Sequence, residues 1–314
     1  MAKAILLALI ASFCTATASV CQRLGARRDQ PEGFDLRLLW HLARRPVWLL
    51  GLASMIVGFG FQVSALRFGP LALVQPLLAL ELLVVFGYMA VLGSPRVAVR
   101  RRDWLAAVAM AAGLGSLLRV ASPTGGRPYA PASMWWSAGL ITLGLVLLAL
   151  AVAFGPLRRR GGSGARRAAV LGAATGISWG FVAAVIKELS SRLGEGIGAV
   201  VASWPLYVLI AAGAGTLILA SHALAAGPLA ASQPGFTILD PLWASLLGLF
   251  LFGERIRTGT LDLALEALSL ALIIAGVSAL SHSHLIASQS TPPYGGTVGH
   301  GPKATAKGAA SDRP

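Results

Sequence analysis

Acidic side chains are scarce here. Asp and Glu together number 12 in 314 residues, and charged residues of both signs make up only 12%, about half the share of an average soluble domain. A chain this poor in charge and 56% hydrophobic belongs in lipid. Cysteine is nearly absent as well. Cys14 and Cys21 lie in one apolar stretch, too few and too similarly placed for a disulfide framework or a metal cluster, and they read as small core residues. No Gly-x-x-x-x-Gly-Lys-Ser/Thr motif occurs, so ATP hydrolysis by this chain is not expected. Aromatic platforms are also missing, which keeps the formal charge of +14 from pointing to nucleic acid.

What the chain does have is apolar runs. They lie near 4–22, 46–67, 71–92, 104–121, 133–154, 168–187, 201–224, 229–252 and 261–281, each close to the roughly 20 helical residues that cross a hydrocarbon core. Backbone amides cannot stay unpaired in lipid, and runs this long without alternation exclude a barrel. The expectation is an all-α bundle of about nine transmembrane helices.

The basic residues sit in the connections. Arg23, Arg27, Arg28, Arg37, Arg44 and Arg45 follow the first run, Arg96, Arg100, Arg101 and Arg102 the third, and Arg158, Arg159, Arg160, Arg166 and Arg167 the fifth. The alternate side holds fewer: Lys3, Arg67, Arg119, Arg127, Lys187, Arg192, Arg255 and Arg257. This bias places the N-terminus outside and the C-terminus in the cytoplasm of a cell carrying the protein in its plasma membrane. One cytoplasmic connection, at 225–228, has no basic residue. The opening Met-Ala-Lys and the small residues Ala16-Thr17-Ala18 also fit a cleaved signal peptide, but the repeat described next needs this span.

Gly69-Pro70-Leu71-Ala72 with Gln75-Pro76 recurs as Gly227-Pro228-Leu229-Ala230 with Gln233-Pro234. All six positions share one offset, 158 residues, as in 69 to 227. The reading is two four-helix halves, residues 1–121 and 161–286, on either side of a linking fifth span within 122–160. A Gly-, Pro-, Ser- and Thr-rich stretch, 287–314, reads as a disordered tail. An odd helix between two copies inverts the second, the arrangement that many secondary transporters use for alternating access.

Phe68-Gly69-Pro70, the proline-marked span with Gln75-Pro76, and Gly176-Ile177-Ser178-Trp179-Gly180 leading to Lys187 together resemble the drug/metabolite transporter superfamily. The nine-span layout is closest to its NIPA-type magnesium transporters, and the likeness covers roughly residues 4–281. It implies a carrier of a small solute. Where the magnesium-transporting relatives have a Gly-Glu pair in the second span and an Asn three residues on, this chain has Gly58, Phe59 and Gln62. Magnesium binding leans on carboxylates, so the substrate does not carry over.

Ionisable groups inside a span usually face a cavity or a partner. Glu81 and Asp240 are two such acids, at nearly corresponding depths. Each follows a proline, Pro76 or Pro234, and Pro241 comes directly after Asp240, so both helices are expected to break beside an acid. Gln75 and Gln233 would add neutral hydrogen bonds, and Gln62 and His222, at matching depths, would line a pathway. Lys187 reads either as a lysine snorkelling to the headgroups, with Glu188 beside it, or as a counter-charge for substrate or Glu81. Gly172, Gly176 and Gly180 form a close-packing face for another helix. Glu254, Arg255 and Glu266 read as solvated or interfacial, and His282-Ser283-His284 offers too few ligands for a metal.

The expected function is secondary transport of a small cation or organic metabolite, possible to couple to protons through Glu81, with no enzymatic activity, cofactor or metal centre. Its partners would be the bilayer, a small-molecule or ion substrate and, in a homodimer, a second copy of the chain. Two rivals are a non-transporting assembly protein and a membrane-embedded lipid-modifying enzyme. The enzyme lacks the intramembrane His, Asp and Glu cluster it would need.

Overall fold

The computed structural model describes residues 1–26, 44–92, 100–155, 164–227, 229–256 and 259–281. Among these residues, nine helical stretches are long and apolar enough to cross a membrane, and the fold is an all-α membrane bundle. The first spans are α1 (Ala2–Ala26) and α2 (Pro46–Phe68), and the third is split into α3 (Leu71–Leu78) and α4 (Glu81–Leu92). Next come α5 (Arg101–Ala121), α6 (Ala132–Phe154), α7 (Gly164–Arg192), a short α8 (Ile197–Val201) and α9 (Trp204–Ala226). The eighth span is α10 (Leu229–Pro234), a π-wound turn (Gly235–Leu239) and α11 (Asp240–Phe252), and α12 (Thr260–Ser281) ends the series. Two-residue strands β1 (Thr124–Gly125) and β2 (Glu254–Arg255) pair antiparallel, with Thr124 opposite Arg255. Pro228, most of the arginine-rich connections, the His282–His284 pair and the 287–314 tail fall outside the described residues.

Small residues let the helices come close. Helix α1 lies on α2, where a Cβ added at Gly58 would stand 3.0 Å from Cys14 Cβ. α5 and α12 meet through Gly113 and Gly276, each facing the other helix's backbone. Helix α1 also packs against α3 and α4, as α7 does against α9, α10 and α11. Gly69, at the end of α2, backs onto Ala4 of α1, and Gly227, at the end of α9, backs onto Gly164 of α7. The central apolar cluster includes Leu66, Leu71, Val74, Val185, Leu251 and Phe252. Outward faces of α6 and α9 present Leu140, Leu147, Leu148, Ile210, Leu217 and Ile218, the apolar surface that a bilayer covers.

Both prolines with a following acid mark interrupted helices. Pro76 has no N–H for the carbonyl of Ala72 and crowds it; two residues later α3 ends, and a turn at Ala79 and Leu80 leads to Glu81, the first residue of α4. In the eighth span, Pro241 cannot bond the carbonyl of Thr237, and the turn before it is wound wide, a common response to a lost ladder bond. Asp240 is then the first residue of α11.

Gly172, Gly176 and Gly180 are the reason this interrupted span can lie against α7. A Cβ on Gly172 would stand 2.5 Å from the carbonyl of Ser232, one on Gly176 would collide with the carbonyl of Gly235, and one on Gly180 would stand 2.8 Å from the carbonyl of Asp240. This face is therefore filled from within the chain. Gly176→Ala is expected to cost about 1–3 kcal/mol, because backbone rather than a flexible side chain must give way. Gly139→Ala, with open space around its Cβ, should be neutral or stabilising by up to about 1 kcal/mol. Thermal unfolding of both variants in detergent checks the contrast; equal midpoints would contradict it.

Candidate functional site: a central cavity with two acids

The two breaks meet a common cavity of about 590 Å³. Its polar lining is Thr15 and Ser19 of α1, Gln62 of α2, Gln75 of α3, Glu81 of α4, Gln233 of α10, Thr237 of the wide turn and Asp240 of α11. Phe59, Trp179 and Phe236 supply aromatic surface, and Met55, Leu78, Val182 and Ile186 aliphatic surface. Five of the polar candidates and Pro241 thus come together from both halves of the sequence.

The α1 face services the first break. Ser12 donates to the carbonyl of Leu78, the last residue of α3, at 3.4 Å, and Ser19, two helical turns further on, donates to Glu81 Oε1 at 2.9 Å. A broken helix leaves carbonyls without intrahelical donors; Ser12 supplies one at Leu78, while Ser19, on the same side of α1, bonds the carboxylate that opens α4. At the second break Gln233 and Thr237 are joined, with Thr237 Oγ1 donating to the Gln233 carbonyl at 3.1 Å. Among the buried polar atoms left unsatisfied in the described residues, two belong to side chains that line the cavity: Asp240 Oδ1 and Gln75 Nε2. Such groups are uncommon in folded proteins, and these two belong to residues that border open space.

His222 and Lys187 stand apart. His222 lies on the exposed face of α9 and does not line the cavity; equal depth along two helices did not mean an equal facing direction. Lys187 is 8% exposed, Glu188 2% and Glu254 4%, so protein rather than solvent surrounds all three. Pro76 and Pro234 shape the breaks without lining the space.

Lys187, next in sequence to the cavity-lining Ile186, belongs to a buried knot. Its Nζ is 3.3 Å from Glu254 Oε1, donates to the Gly69 carbonyl at 2.8 Å, and lies over the Phe252 ring. Glu254 in turn accepts from the backbone amides of Leu71 at 2.5 Å and Ala72 at 2.9 Å. The ammonium therefore caps the carbonyl end of α2 while the carboxylate caps the amide end of α3, each charge complementing a helix dipole. Gly253 (φ 64°) turns the chain at the end of α11 in the left-handed region, where a Cβ is disfavoured, and β2 then holds Glu254 in place.

The connection before α6 completes the knot. Arg127 donates its backbone N–H to the Phe252 carbonyl at 2.7 Å and its Nε–H to the Leu251 carbonyl at 2.9 Å, satisfying the last carbonyls of α11. Glu188 accepts from the Ala130 amide at 3.1 Å and pairs with Arg192 at 3.5 Å. Tyr129 donates to Glu195, and that bond raises its phenol above the ordinary 10.0. Sequence reasoning missed Glu254 and Arg127. The signal was the span count itself, which puts Gly69-Pro70, Lys187, Glu254 and Arg127 on one side of the membrane.

No family model and no solved structure matches this chain. It is similar to an uncharacterized protein of Corynebacterium glutamicum, 28% identical over 299 residues that take in 93% of this chain and 97% of that protein. The likeness is therefore one of whole chains, loops and all.

Removing one partner of a buried ion pair strands the other charge. Glu254→Gln and Lys187→Met are each expected to destabilise the detergent-solubilised protein by about 3–5 kcal/mol. The double variant should lose less than the sum of the two. A double-variant cycle on unfolding midpoints measures this coupling, and strict additivity would show that the two groups act separately.

Proposed function

We propose that the protein is a secondary transporter that carries a small solute across the plasma membrane by alternating access. The observation that supports this most is the central cavity, bounded by an interrupted helix from each half, with an acid opening each second segment. The 158-residue repeat and the recurring packing of α1 and α7 are read as two inverted four-helix halves around the linking α6. On this reading Glu81 and Asp240 are substrate ligands or proton carriers, and Gln62, Gln75 and Gln233 supply neutral hydrogen bonds. The knot of Lys187 and Glu254 falls on the side that arginine placement assigns to the exterior. Membership of the drug/metabolite transporter superfamily fits the order of the motifs and the nine-span layout.

Flux into proteoliposomes tests the proposal, with a panel of divalent cations, amines and neutral metabolites beside a pH-sensitive dye trapped inside. At least one solute is expected to move, with Asp240→Asn and Glu81→Gln each lowering its rate by about tenfold or more while the protein inserts normally. Loss of the proton signal alone in Glu81→Gln would give that residue the coupling role. Unchanged flux in both variants would remove the two acids from the mechanism. Orientation is checked separately: a tag on the N-terminus should be reached by protease from outside intact cells, and one on the C-terminus should not.

A further inference from the structure

We infer that the cavity binds a small organic ammonium ion, with Asp240 as its counter-charge and Trp179 as its aromatic wall. This rests on the cavity being the transport site and adds the chemical class of the solute. Among the described residues that line it there are two carboxylates and no Lys, Arg or His. No basic side chain among these lining residues offsets Asp240, and a desolvated carboxylate without a partner is costly. Asp240 Oδ1 is such a group: buried, at the cavity wall, with no hydrogen-bond partner among the described residues.

Three features favour an organic cation over a metal ion. First, among the described residues no three His, Cys, Asp or Glu side chains gather as a metal site would require, and hard cations take six or more oxygen ligands. Second, about 590 Å³ falls in the range of pockets that hold organic molecules. Third, Phe59, Trp179 and Phe236 line the same space, and the face of an aromatic ring attracts an ammonium ion, Trp most strongly. Trp179 directly precedes Gly180, whose missing Cβ lets α7 touch the backbone of Asp240, so the ring and the acid are held on adjoining backbone. Gln75, 3% exposed and with Nε2 unpartnered, has a hydrogen bond to give to an oxygen on the same ligand.

Three probes that share one body separate charge from shape: 2-phenoxyethylamine, 2-phenoxyethanol and phenoxyacetate. Calorimetric titration of the purified full-length protein is expected to show binding of the amine, with the alcohol and the acid weaker by about tenfold or more, since a desolvated charge pair is worth at least that factor. Asp240→Asn should remove the preference for the amine, and Trp179→Leu should weaken it while Trp179→Phe retains it. Gel filtration establishes that each variant is folded. Equal binding of amine and alcohol, or an amine preference that survives both Asp240→Asn and Trp179→Leu, overturns the inference. So does displacement of the bound amine by micromolar magnesium, which would assign the acids to a metal. Amine binding without amine flux in proteoliposomes upholds the cation site and refutes transport. Flux of a neutral solute that depends on Asp240, with no amine binding, upholds transport and refutes the cation site.

Discussion

An ammonium and a carboxylate that have both left water depend on each other, and the pairing of Lys187 with Glu254 governs how the two halves of this bundle meet. Four chain segments converge there. The lysine belongs to α7, the glutamate follows α11, and between them they cap the end of α2 and the start of α3. Helix ends are where backbone groups lack partners, so the pair solves two capping problems while neutralising itself. Coulomb attraction is strong in such surroundings, yet most of it offsets lost hydration. The net contribution is less one of stability than of registration: α3 and α11 can dock in few other ways without stranding a charge or a helix end.

That anchoring sets what the two proline breaks lie against. With α3 held at its first turn, the break at Ala79 and Leu80 falls beside Ser12 and Ser19 of α1, which bond the Leu78 carbonyl and the Glu81 carboxylate. With α11 held at its last turn, the wide turn before Asp240 falls against the glycine face of α7. Non-helical backbone within a membrane is tolerated where protein surrounds it or a cavity lies beside it, and here both conditions are met. The polar cavity is therefore a product of helix breaks that the packing makes affordable, and its acids sit where two helix segments begin.

Much of this was legible in the residues. Apolar runs foretold nine spans to within a few residues, because a bilayer-length helix leaves no other reading of such a stretch. Pro76, Pro234 and Pro241 foretold the breaks, because a missing N–H acts locally whatever surrounds it. The four-residue spacing of Gly172, Gly176 and Gly180 foretold a close helix contact, though not which helix would fill it.

Facing direction and partnership were a different matter. Gln62 and His222 have similar depths, but one lines the cavity and the other looks outward, since depth follows from position in a run while azimuth depends on how the helix is rotated against its neighbours. Lys187 and Glu254 are 67 positions apart, 187 to 254, and each alone looks like an ordinary residue at a membrane edge. By itself the sequence determined which segments cross the membrane, where they break and which acids lie within them, all of which are local backbone and solvation effects. Only the tertiary structure decided which charges pair and which groups share a cavity, because those depend on distances between helices that no local pattern encodes.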